Sequence, residues 1–265
     1  MLGKLMKYEI KATARYFLPL YAAIIVLSFF IGIRTYEGPF YSLLNGILPT
    51  ALVLSFVGLA IITMILVVTR FDKNLLSDEG YLMFTLPVKT TSLINSKLFT
   101  SLIWIFSSFL VFILSIFLIG WRYFEVEFFK ESFRVIFSEP FFLIILVLLL
   151  VMSIVNFLLQ VYASLGVAQA YSVTKSRILG GTIIFVGIAT FFNIIESVVA
   201  FLGALLFRDN QWIQDMVLQM ESNYFGDILP SLRILLTVVL LYTILKNILF
   251  YVLTKYHLNK KLNLE

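Results

Sequence analysis

The chain has 265 residues, of which 61% are hydrophobic and only 13% charged, with a mean hydropathy of +1.00 and a formal net charge of +5. A soluble globular domain runs about 45–50% apolar and about 25% charged. The composition therefore excludes a soluble fold, and the 16% of aromatic residues excludes a disordered one. With no cysteine there are no disulfides, thiolate metal sites or cysteine nucleophiles, and the single histidine, His257, cannot form a metal cluster alone.

Six apolar runs, at about 17–33, 46–69, 98–120, 141–165, 182–207 and 233–254, each supply the ~20 residues that a spanning helix needs. The expected fold is all-α: one polytopic transmembrane domain over 1–265 with six transmembrane helices and an N-terminal interfacial amphipathic helix. Proline placement agrees with the runs, because Pro19, Pro49 and Pro140 fall in first turns and Pro39, Pro87 and Pro230 fall between runs.

The chain opens with a segment, 1–16, in which Lys4, Lys7, Lys11 and Arg15 share one helical face. Leu2, Leu5, Met6, Ile10 and Phe17 share the opposite one. That is the pattern of a helix lying at a membrane surface, with cations among anionic headgroups. Glu9 falls within the apolar sector. Either it snorkels or meets a neighbouring Lys, or this face packs against protein and Glu9 answers a cation there.

Between the second and third runs lies a long connecting stretch, 70–97, that mixes acidic, aromatic and apolar residues. A helix is expected before Pro87, since the residue preceding a proline leaves the α region. Tyr81, Met83 and Phe84 would there need a protein partner or the membrane surface, unless the stretch is a solvated connecting loop that touches only its own chain. The connections 121–139 and 208–231 are acidic and aromatic, and Gln211–Glu221 has roughly helical spacing.

The fourth run carries Ser153, Asn156, Gln160 and Ser164 on one face, and the fifth carries Thr190, Asn193, Glu196 and Ser197 on another. These residues either pack helix against helix through hydrogen bonds or line a substrate path. Glu196 and Lys246 differ in kind, because a charge at this depth costs about 2.5–3.5 kcal/mol on insertion scales. Both are expected to face protein or a water-filled cavity. The two side chains are about 9 Å apart along the membrane normal on the bounds of the apolar runs, so a direct pair is left open.

An even number of spans puts both termini on one side. Lys and Arg outside the spans divide 13 to 6 in favour of the side holding the termini, which points to the cytoplasm. No metalloprotease, nucleophile-elbow or P-loop motif is present, so no catalytic residue, metal ligand or bound cofactor is expected on this chain. No basic patch suggests nucleic acid.

The surface helix leading into the first span and the phrase Asp78-Glu79-Gly80-Tyr81-Leu82-Met83-Phe84-Thr85-Leu86-Pro87-Val88 running on to Lys97 carry a resemblance. The chain resembles the membrane-spanning permease subunits of type-2 ATP-binding-cassette exporters. The resemblance implies a coupling helix formed around Asp78, Glu79, Gly80, Tyr81, Leu82, Met83 and Phe84 that docks on a separate ATPase subunit. A smaller second coupling segment would correspond to Tyr171–Arg177, with Lys175 and Arg177. ATP and Mg would be bound by the partner ATPase, and a second permease subunit, alike or different, would complete the path in the plasma membrane. This chain itself would not be an enzyme. Asn156, Gln160, Asn193, Glu196 and Lys246 are the candidates for lining that path. Two other readings stand beside this one: a proton- or ion-coupled secondary transporter using Glu196, and a non-transporting immunity or scaffold protein.

Overall fold

A computed structural model describes residues 2–33, 39–77, 80, 88–121, 130, 134, 137–171, 176–206, 210, 211, 214, 218 and 225–260. Among them the secondary structure is helical, with no strand. The helices are α1 (Leu2–Gly32), α2 (Pro39–Phe71), α3 (Thr90–Gly120), α4 (Pro140–Ala170), α5 (Arg177–Leu206) and α6 (Phe225–Lys260), and a π-helical turn, Asp72–Leu76, extends α2. Six helices are long and apolar enough to cross a membrane. In hydrocarbon every backbone N–H and C=O must be bonded within its own segment, which a continuous helix achieves. The chain is a multi-pass membrane protein.

The helices overrun the apolar runs, and several expectations change for that reason. No break separates a 1–16 surface helix from the first span, because α1 is continuous from Leu2 to Gly32. Pro19 and Pro49 consequently lie inside α1 and α2 instead of in first turns, and Pro230 lies inside α6 instead of between runs. Each forgoes one backbone bond, a loss that the rest of a helix longer than 30 residues can carry. Pro140 does open α4. The 70–97 connection is shorter than its composition suggests: 72–76 continue α2 as a π turn, and α3 begins at Thr90, so Lys97 sits two turns inside a helix. The 208–231 connection is likewise shortened, since α6 starts at Phe225. The segment Gln211–Glu221 lies mostly outside the described residues.

Two compact units divide the chain, residues 1–134 and 135–263. In the first, α1 lies mainly against α3, with α2 alongside both. α1 and α3 run parallel, and the contact is a ladder of side chains whose partners lie 87 to 91 residues apart in sequence. From one end it pairs Glu9 with Lys97, Thr13 with Trp104, Tyr21 with Ser108 and Ser28 with Ser115. It closes at Gly32, where a Cβ would meet the Leu118 carbonyl oxygen at 1.9 Å. Only glycine permits that approach.

The core between these rungs is aromatic. Phe17 and Trp104 stack with ring centroids 4.4 Å apart and planes 7° apart, and the Trp104 indole N–H donates to Thr13 Oγ1 at 2.7 Å. Tyr21 donates to the Trp104 carbonyl at 3.1 Å, and Leu52 and Leu59 of α2 complete the cluster.

In the second unit α4 is the central helix, flanked by α5 and α6. Its final stretch, Leu158 to Gly166, is buried on every side. A Cβ on Gly181 of α5 would meet Leu165 Cδ2 at 2.5 Å, whereas one on Gly166 would make only ordinary contact with His257 Cβ at 3.5 Å. Asn247 of α6 donates to the Met152 carbonyl at 3.0 Å, and Arg233 pairs with Glu139 where α4 begins.

Candidate functional site

Two polar constellations stand out, one in each unit. The first surrounds the end of α2. Glu9 is 8% exposed and accepts from both Lys97 Nζ and Asn74 Nδ2, the latter at 3.2 Å. Arg70 donates to the Ala12 carbonyl at 3.3 Å. Of the two explanations for Glu9, the protein-facing one holds: the cation is Lys97, buried at 4% exposure. Lys4, Lys7, Lys11 and Arg15 all remain exposed on the opposite face, as their pattern requires.

The π turn is what brings Asn74 to this site. A π turn holds one residue more than an α turn, and here it also buries Asp72, Leu75 and Leu76. Ser77 ends it, and the Gly80 amide donates back to the Ser77 carbonyl at 2.7 Å. A Cβ on Gly80 would meet the Leu75 carbonyl oxygen at 2.7 Å, so the chain doubles back here at a distance no side chain permits. Gly80 is the described member of the expected coupling set in this stretch. Asp78, Glu79, Tyr81, Leu82, Met83 and Phe84 lie outside the described residues, as does Lys175. In the second unit Arg177 opens α5 and donates to Gln169 Oε1 at 3.4 Å across the turn from α4.

The second constellation lies in the spans of the second unit. Lys246 Nζ of α6 donates to Glu196 Oε1 of α5 at 2.7 Å, and the Tyr242 hydroxyl donates to the same oxygen at 2.8 Å. The ammonium also sits 4.8 Å from the Phe192 ring centroid and 5.3 Å from that of Tyr242. The pair left open by the sequence is therefore direct. α5 begins at Arg177 and α6 ends at Lys260, which reduces the offset along the helices to roughly 7–8 Å. Long side chains bridge that.

The remaining path candidates do not converge on this pair. Gln160 of α4 is buried and donates to the Phe185 carbonyl of α5 at 3.4 Å. Asn156 encloses an amide nitrogen with no hydrogen-bond partner, and Asn193 is exposed on α5. Thr190 and Ser197 return their hydroxyls to carbonyls four residues back on their own helix, which satisfies them without a neighbour.

Sequence reasoning missed Asn74, Tyr242 and Phe192. Tyr242 was findable, since it lies four residues before Lys246 on the same helical face. The described residues contain no group of His, Asp or Glu able to hold a metal ion. No family model matches the chain, and neither does any curated protein or solved structure.

Proposed function

We propose that the chain is the membrane-spanning subunit of an ATP-driven exporter, coupled to a separate ATPase subunit through the stretch that follows α2. Both termini lie in the cytoplasm in this reading, and ATP with Mg belongs to the partner. A second permease subunit completes the path. The observation that carries the reading is the base of that stretch. Glu9, Asn74 and Lys97 tie three elements together in a buried network, and Gly80 folds the emerging chain back onto the π turn. A segment that must transmit force needs a stiff anchor at its root, whereas a passive connection does not.

The test is purification of the chain from its native membrane, with its partners retained. An ATPase bearing a P-loop is expected to accompany it. Glu79→Arg and Gly80→Pro should each leave the permease inserted but release or uncouple that partner. Normal ATPase binding and normal transport in both variants would sink the assignment.

A second reading, an ion-coupled carrier, is favoured by one observation, the intramembrane Glu196–Lys246 pair. Transport that persists in vesicles without ATP, driven by an imposed proton gradient, would select it over the exporter.

A further inference from the structure

The Glu196–Lys246 cluster has the composition of a binding site whose occupant is part of the chain. An ammonium ion is stabilised by a carboxylate and by aromatic ring faces, whose negative quadrupole attracts a cation within about 6 Å. Lys246 has all three: the Glu196 carboxylate at 2.7 Å, the Phe192 ring at 4.8 Å and the Tyr242 ring at 5.3 Å. Phe192 is in turn held edge-on by Phe191 at 5.7 Å and by Phe250 at 5.5 Å, so this wall of the cage is itself packed.

The burial is unequal, and the inequality sets the sign of the ligand. The Lys246 side chain is 17% exposed and the Glu196 side chain 39%. Both hydrogen bonds converge on Glu196 Oε1. The more open group is thus the anion, and the shielded group is the cation inside its ring walls. An incoming anion would have to pass Glu196 and then lie against ring faces that repel it. An incoming cation meets an accessible carboxylate first.

The depth sets the rest of the ligand. Ten residues separate Glu196 from the end of α5 at Leu206, about 15 Å of helix. The neighbouring surface of α5 is apolar, with Ile195 and Val199 exposed. A small hydrated cation has no favourable route there, whereas an ammonium carried on an apolar body does.

We infer that Glu196, Phe192 and Tyr242 form a cage for an amphipathic organic ammonium ion, with Lys246 as its built-in occupant until such a ligand displaces it. As a statement about cargo, this rests on the exporter reading above; as a statement about binding, it does not. The Lys246 ammonium rides on a flexible four-carbon stem, so it can withdraw and leave the carboxylate and rings in place.

The experiment uses the full chain in lipid nanodiscs without any ATPase, with radiolabelled dodecyltrimethylammonium as probe and empty nanodiscs as background. Displaceable binding is expected, competed by excess dodecylamine and left intact by excess dodecanol, which has the same tail without the charge. Removing the internal competitor with Lys246→Met should tighten binding about tenfold, and Glu196→Gln should weaken it by at least about tenfold. Lys246→Gln, together with gel filtration of every variant, shows that each protein is folded and monodisperse. Equal competition by dodecanol, or Lys246→Met and Lys246→Gln both binding no tighter than wild type, would overturn the inference. Because no ATPase is present, that failure would leave the exporter reading to its own test, and a missing ATPase partner would leave the cage to this one.

Discussion

Glu9 and Lys97 meet across 88 residues of sequence, at the same end of two parallel helices, and both are nearly buried. One oxygen of Glu9 takes the ammonium while Asn74 of the π turn donates to that same oxygen. Removing one partner leaves the other charge enclosed, at a cost of about 3–5 kcal/mol. Glu9→Gln and Lys97→Met are therefore each expected to lower the melting temperature of the purified protein sharply. The double variant should recover part of the loss, and strictly additive losses would show that the two charges are not coupled.

Glycine substitutions should separate into three grades. Gly32→Ala drives a methyl group into the Leu118 backbone, which cannot yield, so α1 and α3 must part at that end. Gly181→Ala meets only the end of the Leu165 side chain, and a rotamer change can absorb part of the clash. Gly58→Ala meets nothing within 4 Å, and in a helix interior it should stabilise by up to about 1 kcal/mol. Melting temperatures should fall in the order Gly58→Ala, wild type, Gly181→Ala, Gly32→Ala.

Trp104 makes two separable contributions, a hydrogen bond to Thr13 and a stack on Phe17. Trp104→Phe keeps a ring and loses the N–H, at a cost of about 1 kcal/mol. Trp104→Leu also loses the stack and should cost roughly 0.5–1.5 kcal/mol more. The Thr13 hydroxyl keeps its own bond to the Glu9 carbonyl at 2.8 Å in both variants. Equal stability of the two variants would remove the stack from the account.

Asn156 offers a cleaner test of path lining than the charged residues do. Its amide nitrogen is buried without a partner, so it gains little for the fold. Asn156→Leu should leave melting temperature unchanged or raised. Reduced transport in that well-folded variant would assign the amide to the substrate path, and unchanged transport would exclude it.

The orientation can be read on a background free of cysteine. Cysteines placed at Ser77 and Ser176 should react with an impermeant maleimide only after the cells are opened. Those placed at Ser42 and Asn210 should react in intact cells. The reverse pattern would place the termini outside.

The spans were legible because their signal is local: each is an uninterrupted apolar run. Their ends were not, because a helix continues wherever its backbone bonds are satisfied. The cationic stretch of Lys4 to Arg15 and the polar stretch of Thr90 to Lys97 both satisfy that condition. Glu9 was legible as an anomaly, since it broke a pattern of 3.6-residue period. Its partner was hidden by sequence distance and by the assignment of Lys97 to a connection. Thr13, Ser28 and Ser115 gave almost no signal, because a hydroxyl in an apolar run reads the same whether it faces a neighbour or its own carbonyl. Glu196 and Lys246 were conspicuous by charge alone, while the Phe192 ring beside Lys246 was lost among 27 phenylalanines.

The ladder between α1 and α3 also has a mechanical meaning. Its rungs all join the same two helices running in the same direction, so sliding α1 along α3 by a single residue, about 1.5 Å, would disturb every rung together. It would also push the Leu118 carbonyl off the gap at Gly32. Small displacements are thus resisted along the whole length, and the two helices behave as one spliced beam. The paired length runs some 35 Å from the Glu9 end to the Gly32 end, so a load applied at one end bears on the other. Any bending that the first unit undergoes must be borne by α2, its least tightly spliced member.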